Sequence, residues 1–342
     1  RRRARADCRQ ERPRGQIVRG YPAVMPLSGD VDRLTEAAFD GDRRALARLI
    51  TIVEEGRPGA GRTLGLAYPR SGRAYRVGLT GAPGAGKSTL TDGLIGAIRR
   101  GDDTVAVLAV DPTSPFSGGA VLGDRVRMQD HASDPGVFIR SMASRGHLGG
   151  LSAAAPKGLT LLDAAGFPYL LIETVGVGQD EVEVADAADT TVVVLTPGWG
   201  DGVQAAKAGI LEIGDVFVVN KADRPGVDDA VADLRTMLAM GGERPWSPPI
   251  LTTVASRGAG VAELLDAVGA HRAHLEGGGG LEEGRRGRRR GELRSAVAAA
   301  LARRSAAAAD APEHRRLVSL VEDGLLDPWA AAERLLGSVA SV

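Results

Sequence analysis

The segment that most narrows what this chain can become is Gly81-Ala82-Pro83-Gly84-Ala85-Gly86-Lys87-Ser88. It satisfies the pattern G-x-x-x-x-G-K-[ST], and its flanks supply the context that such a match needs. The apolar run Tyr75–Thr80 precedes it, and a helical pattern from Ser88 to Arg99 follows it. A strand, a glycine loop and a helix in that order let backbone N–H groups converge on phosphate oxygens, backed by the positive end of the helix. Lys87 is then placed to reach the β- and γ-phosphates, and the Ser88 hydroxyl to bind Mg²⁺, with Thr89 completing the cradle. A glycine-rich turn with no ligand is the bland alternative, and the flanking elements argue against it.

Around this segment the chain alternates short β-branched runs with helical ones. The runs are Tyr75–Thr80, Thr104–Val110, Val137–Ser141, Tyr169–Thr174, Thr190–Thr196, Val216–Val219 and Ile250–Val254. Continuous apolar strands separated by helices imply an α/β fold: a P-loop nucleotidase with a mainly parallel, doubly wound sheet covered on both faces. Helical spacing from Asp30 to Glu55, broken at Gly41, predicts a helical hairpin ahead of the sheet. Beyond Leu275, Gly277–Gly280 reads as a flexible joint, and Arg285–Arg290 as a solvated helix face. Helical segments follow near Glu292–Arg304, Glu313–Asp323 and Pro328–Leu336. The expected division is a disordered tail over 1–29, a helical extension over 30–73, the P-loop domain over 74–276, and a linker with a helical dimerisation arm over 277–342.

Composition excludes several classes. Lys plus Arg and Asp plus Glu are both 43, so the overall charge gives no reason to expect nucleic acid. Cys8 is the single cysteine, which removes an internal disulfide framework and any paired-cysteine zinc site, and fits a cytoplasmic setting. No apolar run approaches the ~20 residues of a membrane helix, so no membrane partner is expected. The arginine-rich stretch Arg1–Arg19 is interrupted by Asp7 and Glu11 and lacks serine, unlike an organellar presequence. The basic residues are 39 arginines and only four lysines, and Asn220 is the only asparagine. A lysine kept in such a background suggests a site that needs a compact ammonium.

Two of those scarce residues stand together in Asn220-Lys221-Ala222-Asp223, after the run Val216–Val219. Guanine offers donors at N1 and N2 that the Asp223 carboxylate can take together, which discriminates against adenine. Asn220 can donate to N7 or tether the phosphate loop, and the Lys221 stem can cover one face of the base. Ala255-Ser256-Arg257, after the last strand, is placed to give a backbone N–H to guanine O6. The ligand is therefore GTP or GDP, and the chain reads as a GTPase. A sensor of the γ-phosphate should end the run Tyr169–Thr174, where the sequence is Glu173-Thr174-Val175-Gly176. Most GTPases carry Asp at the first of these positions. The Glu173 carboxylate would reach Mg²⁺ through water and the Gly176 N–H would contact the γ-phosphate, while Asp111 and Asp124 are further carboxylates available to the metal.

These segments resemble the GTPase chaperones of adenosylcobalamin-dependent methylmalonyl-CoA mutase, the MeaB type. The resemblance runs from about Asp30 to Leu275. It is carried by Gly81–Thr91, Val110–Pro115, Gly118-Gly119, Leu122–Arg125, Arg145–Gly150, Glu173–Gln179, Gly200-Asp201 with Lys207, and Asn220–Asp223. It implies that Asp111, Asp124 and Glu173 are the Mg²⁺ and catalytic carboxylates. It further implies that Val177–Asp180 and Pro197–Lys207 are switches, in which Asp201 and Lys207 respond to the partner enzyme. Hydrolysis in such a protein waits for the mutase, with Lys87 on γ-phosphate charge and Lys207 or Gln179 in the partner-dependent step. A homodimer that controls cobalamin loading and ejects damaged cofactor is the implied assembly.

Three rivals remain open at this point. A nickel-insertion GTPase for hydrogenase or urease shares the Glu-containing motif but would need Cys and His clusters. Cys8 lies in the tail, the five histidines are scattered, and His271 and His274, which share a helix face, are an unaided pair of the kind more often on the surface than a ligand. A P-loop small-molecule kinase would have no use for guanine selection. A passive nucleotide-binding scaffold would have no use for the carboxylates.

Overall fold

The computed structural model describes residues 28–111, 131, 133–143, 154–174, 180–199, 209, 211–242, 244–307 and 311–340. Three helices open it: α1 (Ser28–Phe39), α2 (Arg43–Glu54) and α3 (Ala60–Ala67). The hairpin expected from the helical spacing is α1 and α2. Asp42 caps α2, its carboxylate accepting from the N–H groups of Arg44 and Ala45 at 2.8 and 3.1 Å.

The chain then alternates β1 (Tyr75–Thr80), α4 (Lys87–Arg100), β2 (Val105–Asp111), β3 (Val137–Ala143), α5 (Ala155–Ala164), β4 (Tyr169–Thr174), α6 (Asp180–Ala187), β5 (Thr190–Leu195), β6 (Val216–Asn220), α7 (Val227–Met240) and β7 (Ile250–Thr253). The seven strands form one sheet in the order β3-β2-β4-β1-β5-β6-β7, every pair parallel. The continuous apolar runs follow from this: alternate residues of each strand face opposite cores. Tyr75, Val77, Leu79, Val105, Val107, Val192 and Val194 pack with α4 and a later helix, α8 (Val261–Gly278). Ala106, Leu108, Val110, Leu170 and Ile172 pack with α2 and α5, and Val193, Phe217 and Val219 with α7. The N-terminal hairpin is therefore part of the second face.

The chain winds through β2, β3 and β4 on one side of β1, then through β5, β6 and β7 on the other. The carboxyl end of β1 sits where the winding reverses, which is where open α/β sheets take their ligands.

The C-terminal region departs from expectation. No flexible joint spans Gly277–Gly280: α8 ends at Gly278, Gly279 alone turns with φ 72°, and α9 (Gly280–Ala307) starts at once. Helix α9 runs unbroken through Arg285–Arg290, as the good helix propensity of arginine allows. The arginines are not all solvated. Arg285 donates to the carbonyls of Gly72 (2.8 Å) and Ala74 (3.0 Å), and Arg288 to that of Ala188 (2.5 Å) and to Asp189. Arg286, Arg289 and Arg290 are the exposed members. Two further helices follow, α10 (Pro312–Glu322) and α11 (Pro328–Ala340). No helix among the described residues is long and apolar enough to cross a membrane.

Candidate functional site

The site is built where β1 gives way to α4. Gly81 leaves the strand with φ 130°, and a Cβ there would lie 2.1 Å from the Val194 carbonyl oxygen in β5. Only glycine fits so close to a neighbouring strand. Ala82, Pro83 and Gly84 form an exposed crest, and Ala85 turns back into the core. Gly86, with φ 94°, caps α4, whose first turn holds no acidic residue to neutralise its positive end.

Lys87 is buried, its ammonium 2.6 Å from the Gly81 carbonyl oxygen and 3.1 Å from that of Ala82. The cation thus lies across the loop that the sequence assigns to phosphate. Ser88 is also buried, and its hydroxyl donates to Glu173 Oε1 at 2.5 Å. Glu173 is the penultimate residue of β4, paired with Leu79 of β1 and Ala109 of β2. That register sets the carboxylate beside the loop, and the residue is 3% exposed. Thr89 follows on α4, half-buried. Two hard oxygen donors, a hydroxyl and a carboxylate, meet here at the helix start, a set that suits Mg²⁺.

The second half of the site is Asn220–Asp223. Of the two roles open to Asn220, its side chain takes the tether: Nδ2 donates to the Ala85 carbonyl oxygen at 2.8 Å. Its Oδ1 accepts from Thr253 Oγ1 at 3.0 Å and from the Ala255 N–H at 3.1 Å. One buried amide thereby fixes the phosphate loop, the end of β7 and the turn Ala255–Arg257 to one another. Gly86 has to be glycine for this reason too, since a Cβ would lie 2.3 Å from Asn220 Nδ2. Lys221, with φ 58°, reaches back so that Nζ donates to the Gly84 carbonyl oxygen at 2.6 Å, laying its stem between β6 and the crest. Asp223 is exposed, with Arg257 at 3.9 Å. The N–H groups of Ala255 and Arg257 are used within the protein, by Asn220 and by the Val254 carbonyl. Among Ala255, Ser256 and Arg257, Ser256 is left to offer its main-chain N–H.

The structure therefore brings together Gly81, Ala82, Pro83, Gly84, Ala85, Gly86, Lys87, Ser88, Thr89, Glu173, Asn220, Lys221, Asp223 and the 255–257 turn along one edge of the sheet. Asp111 ends β2 on the same edge, its neighbour Val110 paired with Thr174. Asp124, Gly176, Gln179, Asp201 and Lys207 lie outside the described residues. Thr253 is the residue that sequence reading missed; its position at the end of the last strand, before the turn, was the available signal. His271 and His274 are occupied elsewhere: His271 is buried with Nδ1 2.8 Å from Thr190 Oγ1, and both rings pack on Trp246.

Comparison with known proteins agrees with this geometry. Residues 46–310 match the family model described as methylmalonyl Co-A mutase-associated GTPase MeaB. A putative GTPase of Pyrococcus horikoshii is 48% identical over 313 residues, covering 90% of this chain and 98% of the relative. A mitochondrial methylmalonic aciduria type A homolog of Caenorhabditis briggsae is 39% identical over 210 residues, covering 56% of this chain and 50% of the relative. Among solved structures, a LAO/AO transport system kinase aligns with a TM-score of 0.67 at 26% identity, covering 92% of this chain and 99% of that one. Phosphate loop, guanine segment and whole-length relatives named as GTPases agree: the chain is a P-loop GTPase and belongs to the MeaB family of methylmalonyl-CoA mutase-associated GTPases.

Proposed function

We propose that this GTPase is the chaperone of an adenosylcobalamin-dependent methylmalonyl-CoA mutase, using GTP hydrolysis to control cofactor loading and the removal of damaged cofactor. The observation that carries the reading is the match of residues 46–310 to the mutase-associated family. The relative named for methylmalonic aciduria supports it.

In this reading Lys87 exchanges its two loop carbonyls for β- and γ-phosphate oxygens. The compact ammonium makes that exchange without rebuilding the loop. Asp223 accepts from guanine N1 and N2, the Lys221 stem covers the base, and the Ser256 N–H faces O6. Ser88 and Glu173 would hold Mg²⁺, with Asp111 and Asp124 as further carboxylates. Bound there, the ion neutralises charge on the β- and γ-phosphates. Glu173 also orients the attacking water, while Gly176 contacts the γ-phosphate. Gln179, Asp201 and Lys207 supply the group that completes the site when the mutase docks. Most of the barrier is lowered by positioning and charge, so withholding one such group keeps basal turnover slow.

A homodimer belongs to the same proposal, in a cytoplasmic setting. Leu293, Val297 and Leu301 recur every four residues along α9 and are exposed, as are Val318, Leu325, Trp329 and Leu336 nearby in sequence. A helical stripe of that kind suits a partner helix.

The deciding experiment measures GTP turnover with Mg²⁺, with and without the purified mutase carrying its cobalamin. Stimulation of about tenfold or more is expected, as for partner-completed phosphoryl-transfer sites. Unchanged turnover, combined with tight Ni²⁺ binding, would replace this reading by nickel insertion.

A further inference from the structure

The amino-terminal edge of the sheet, opposite the nucleotide site, encloses a cavity of about 210 Å³ between β1, α5 and α9. Four arginines line it: Arg76 from β1 and Arg285, Arg288 and Arg289 from α9. Asp163 and Glu292 are its carboxylates.

Asp163, Glu292 and the adjacent Asp189 offset three of these four charges, and the hydrogen bonds are shared out unevenly. Asp163 accepts from the N–H groups of Gly72 (2.7 Å), Arg73 (3.1 Å) and Ala74 (3.1 Å). Asp189, beside the cavity, accepts from the Arg76 N–H at 2.9 Å and from the Arg288 guanidinium. Arg285 spends its donors on Gly72 and Ala74 and stands 3.6 Å from the exposed Glu282. Arg76 has no such outlet. The residue is 9% exposed, its guanidinium makes no hydrogen bond among the described residues, and the nearest carboxylate oxygen, on Asp163, is 3.9 Å away. Burial first, and then the charge of Arg288, push Arg76 below the ordinary arginine range. Its rigid fork of five N–H donors stands at the cavity wall with only the longer ion pair to Asp163, and is open to an acceptor that enters the cavity. Arg289, exposed and lying against Gly72, offers a second fork from the other wall.

We infer that this cavity binds a small phosphate-type oxyanion, gripped by Arg76 from the sheet and Arg289 from α9, which ties the C-terminal arm to the GTPase core. A planar guanidinium matches such an anion with paired, charge-assisted bonds. The cavity lies below the roughly 300–1,000 Å³ of ordinary small-molecule pockets, so it admits phosphate or a small phosphate monoester and excludes a nucleotide. The anion is either free inorganic phosphate or the phosphate of a small metabolite.

The test uses the full chain saturated with GDP and Mg²⁺, so that the phosphate loop is filled. Inorganic phosphate, glycerol phosphate and glycerol are titrated in separate calorimetric experiments. One saturable site per chain is expected for the first two and none for glycerol, and the tighter of the two anions identifies the source. Arg289→Ala and Arg76→Met should each weaken binding about tenfold or more, with GDP affinity unchanged. Bound anion should also slow hydrogen exchange over 280–292 in α9. Should Arg76→Met fail to fold, the exposed Arg289→Ala variant decides alone. Absence of saturable binding to the GDP-loaded chain, or wild-type affinity in Arg289→Ala, overturns the proposal.

Discussion

The two edges of the sheet pair ions with main-chain atoms in opposite ways. At the carboxyl edge, Lys87 and Lys221 donate to the carbonyls of Gly81, Ala82 and Gly84. Ala82 and Gly84 lie on an exposed crest, so water can take over when an ammonium leaves for a phosphate. At the amino edge, Asp163 collects three N–H groups, and Arg285 and Arg288 collect three carbonyls from residues 72–74 and 188. Apart from the exposed Arg73, those partners are buried or half-buried, so water replaces a lost ion less readily there. On the proposed reading, the same kind of bond serves ligand exchange at one edge and closure of the fold at the other.

If that contrast holds, removing one ion from each edge should give opposite phenotypes. Lys87→Ala deletes the cation proposed to neutralise the γ-phosphate, and turnover should fall about 10³-fold, near 4 kcal/mol of transition-state stabilisation. Its thermal midpoint should fall by only a few degrees, because the freed Ala82 carbonyl lies on the exposed crest and that of Gly81 alone is buried. Asp163→Ala leaves three N–H groups without their acceptor and takes from Arg76 its nearest carboxylate. A loss of about 3–5 kcal/mol in denaturant unfolding is expected, with nucleotide affinity of the folded fraction unchanged. A stable Asp163→Ala protein, or an unfolded Lys87→Ala one, would break the comparison.

A smaller effect probes the join inside the carboxyl edge. Gly86→Ala places a methyl group 2.3 Å from Asn220 Nδ2 at φ 94°. Asn220 must give up Ala85, which uncouples the phosphate loop from the guanine segment. GTP and GDP should both bind about tenfold more weakly, with stability down by about 1–3 kcal/mol. Weakened GTP with unaltered GDP in a binding titration would show instead that the loop, and not its tether, carries the loss.

The two edges also differ in how far the sequence reveals them. At the carboxyl edge the chemistry is compressed into Gly81–Ser88 and Asn220–Asp223, because a phosphate cradle needs consecutive backbone groups. Glu173 could be placed because it ends an apolar run. The amino edge is assembled from Gly72–Arg76, Asp163, Asp189 and Arg285–Arg288, which no local spacing connects. Arg285–Arg290 has the composition of a solvated face, and only the docking of α9 shows that Arg285 and Arg288, one helical turn apart, are spent on carbonyls just ahead of β1 and β5. The strands were legible from their β-branched runs. Helix α3 was not, because Ala60–Ala67 holds two glycines and only two leucines' worth of helical signal.

The smallest effect concerns a buried chain on the amino edge that sharpens what closure means there. Tyr75 and Thr190 hydroxyls are 2.5 Å apart, Thr190 Oγ1 is 2.8 Å from His271 Nδ1, and His271 Nε2 is 3.6 Å from Asp215 Oδ1. Burial, then the charge of His274, lowers the His271 pKa from 6.5 to about 4. Burial raises that of Asp215 from 3.8 to about 6. Between those limits the unfolded chain holds the histidine proton and the folded chain does not, so His271 makes stability rise with pH. Asp215 does the reverse, because the folded state holds its proton in a window where the unfolded state has released it. The two slopes oppose, and wild type should show little net contribution from the pair between about pH 4 and 6. His271→Gln removes one slope. Relative to this variant, wild type should lose stability as pH falls from about 6.5 to about 4 and keep a constant difference above that range. Relative to Asp215→Asn, wild type should lose stability as pH rises from about 3.8 to about 6, by less, since the Asp215 side chain is 32% exposed. Denaturant midpoints at half-unit pH steps measure both differences, and differences independent of pH would mean that folding does not shift the titration of His271 or Asp215.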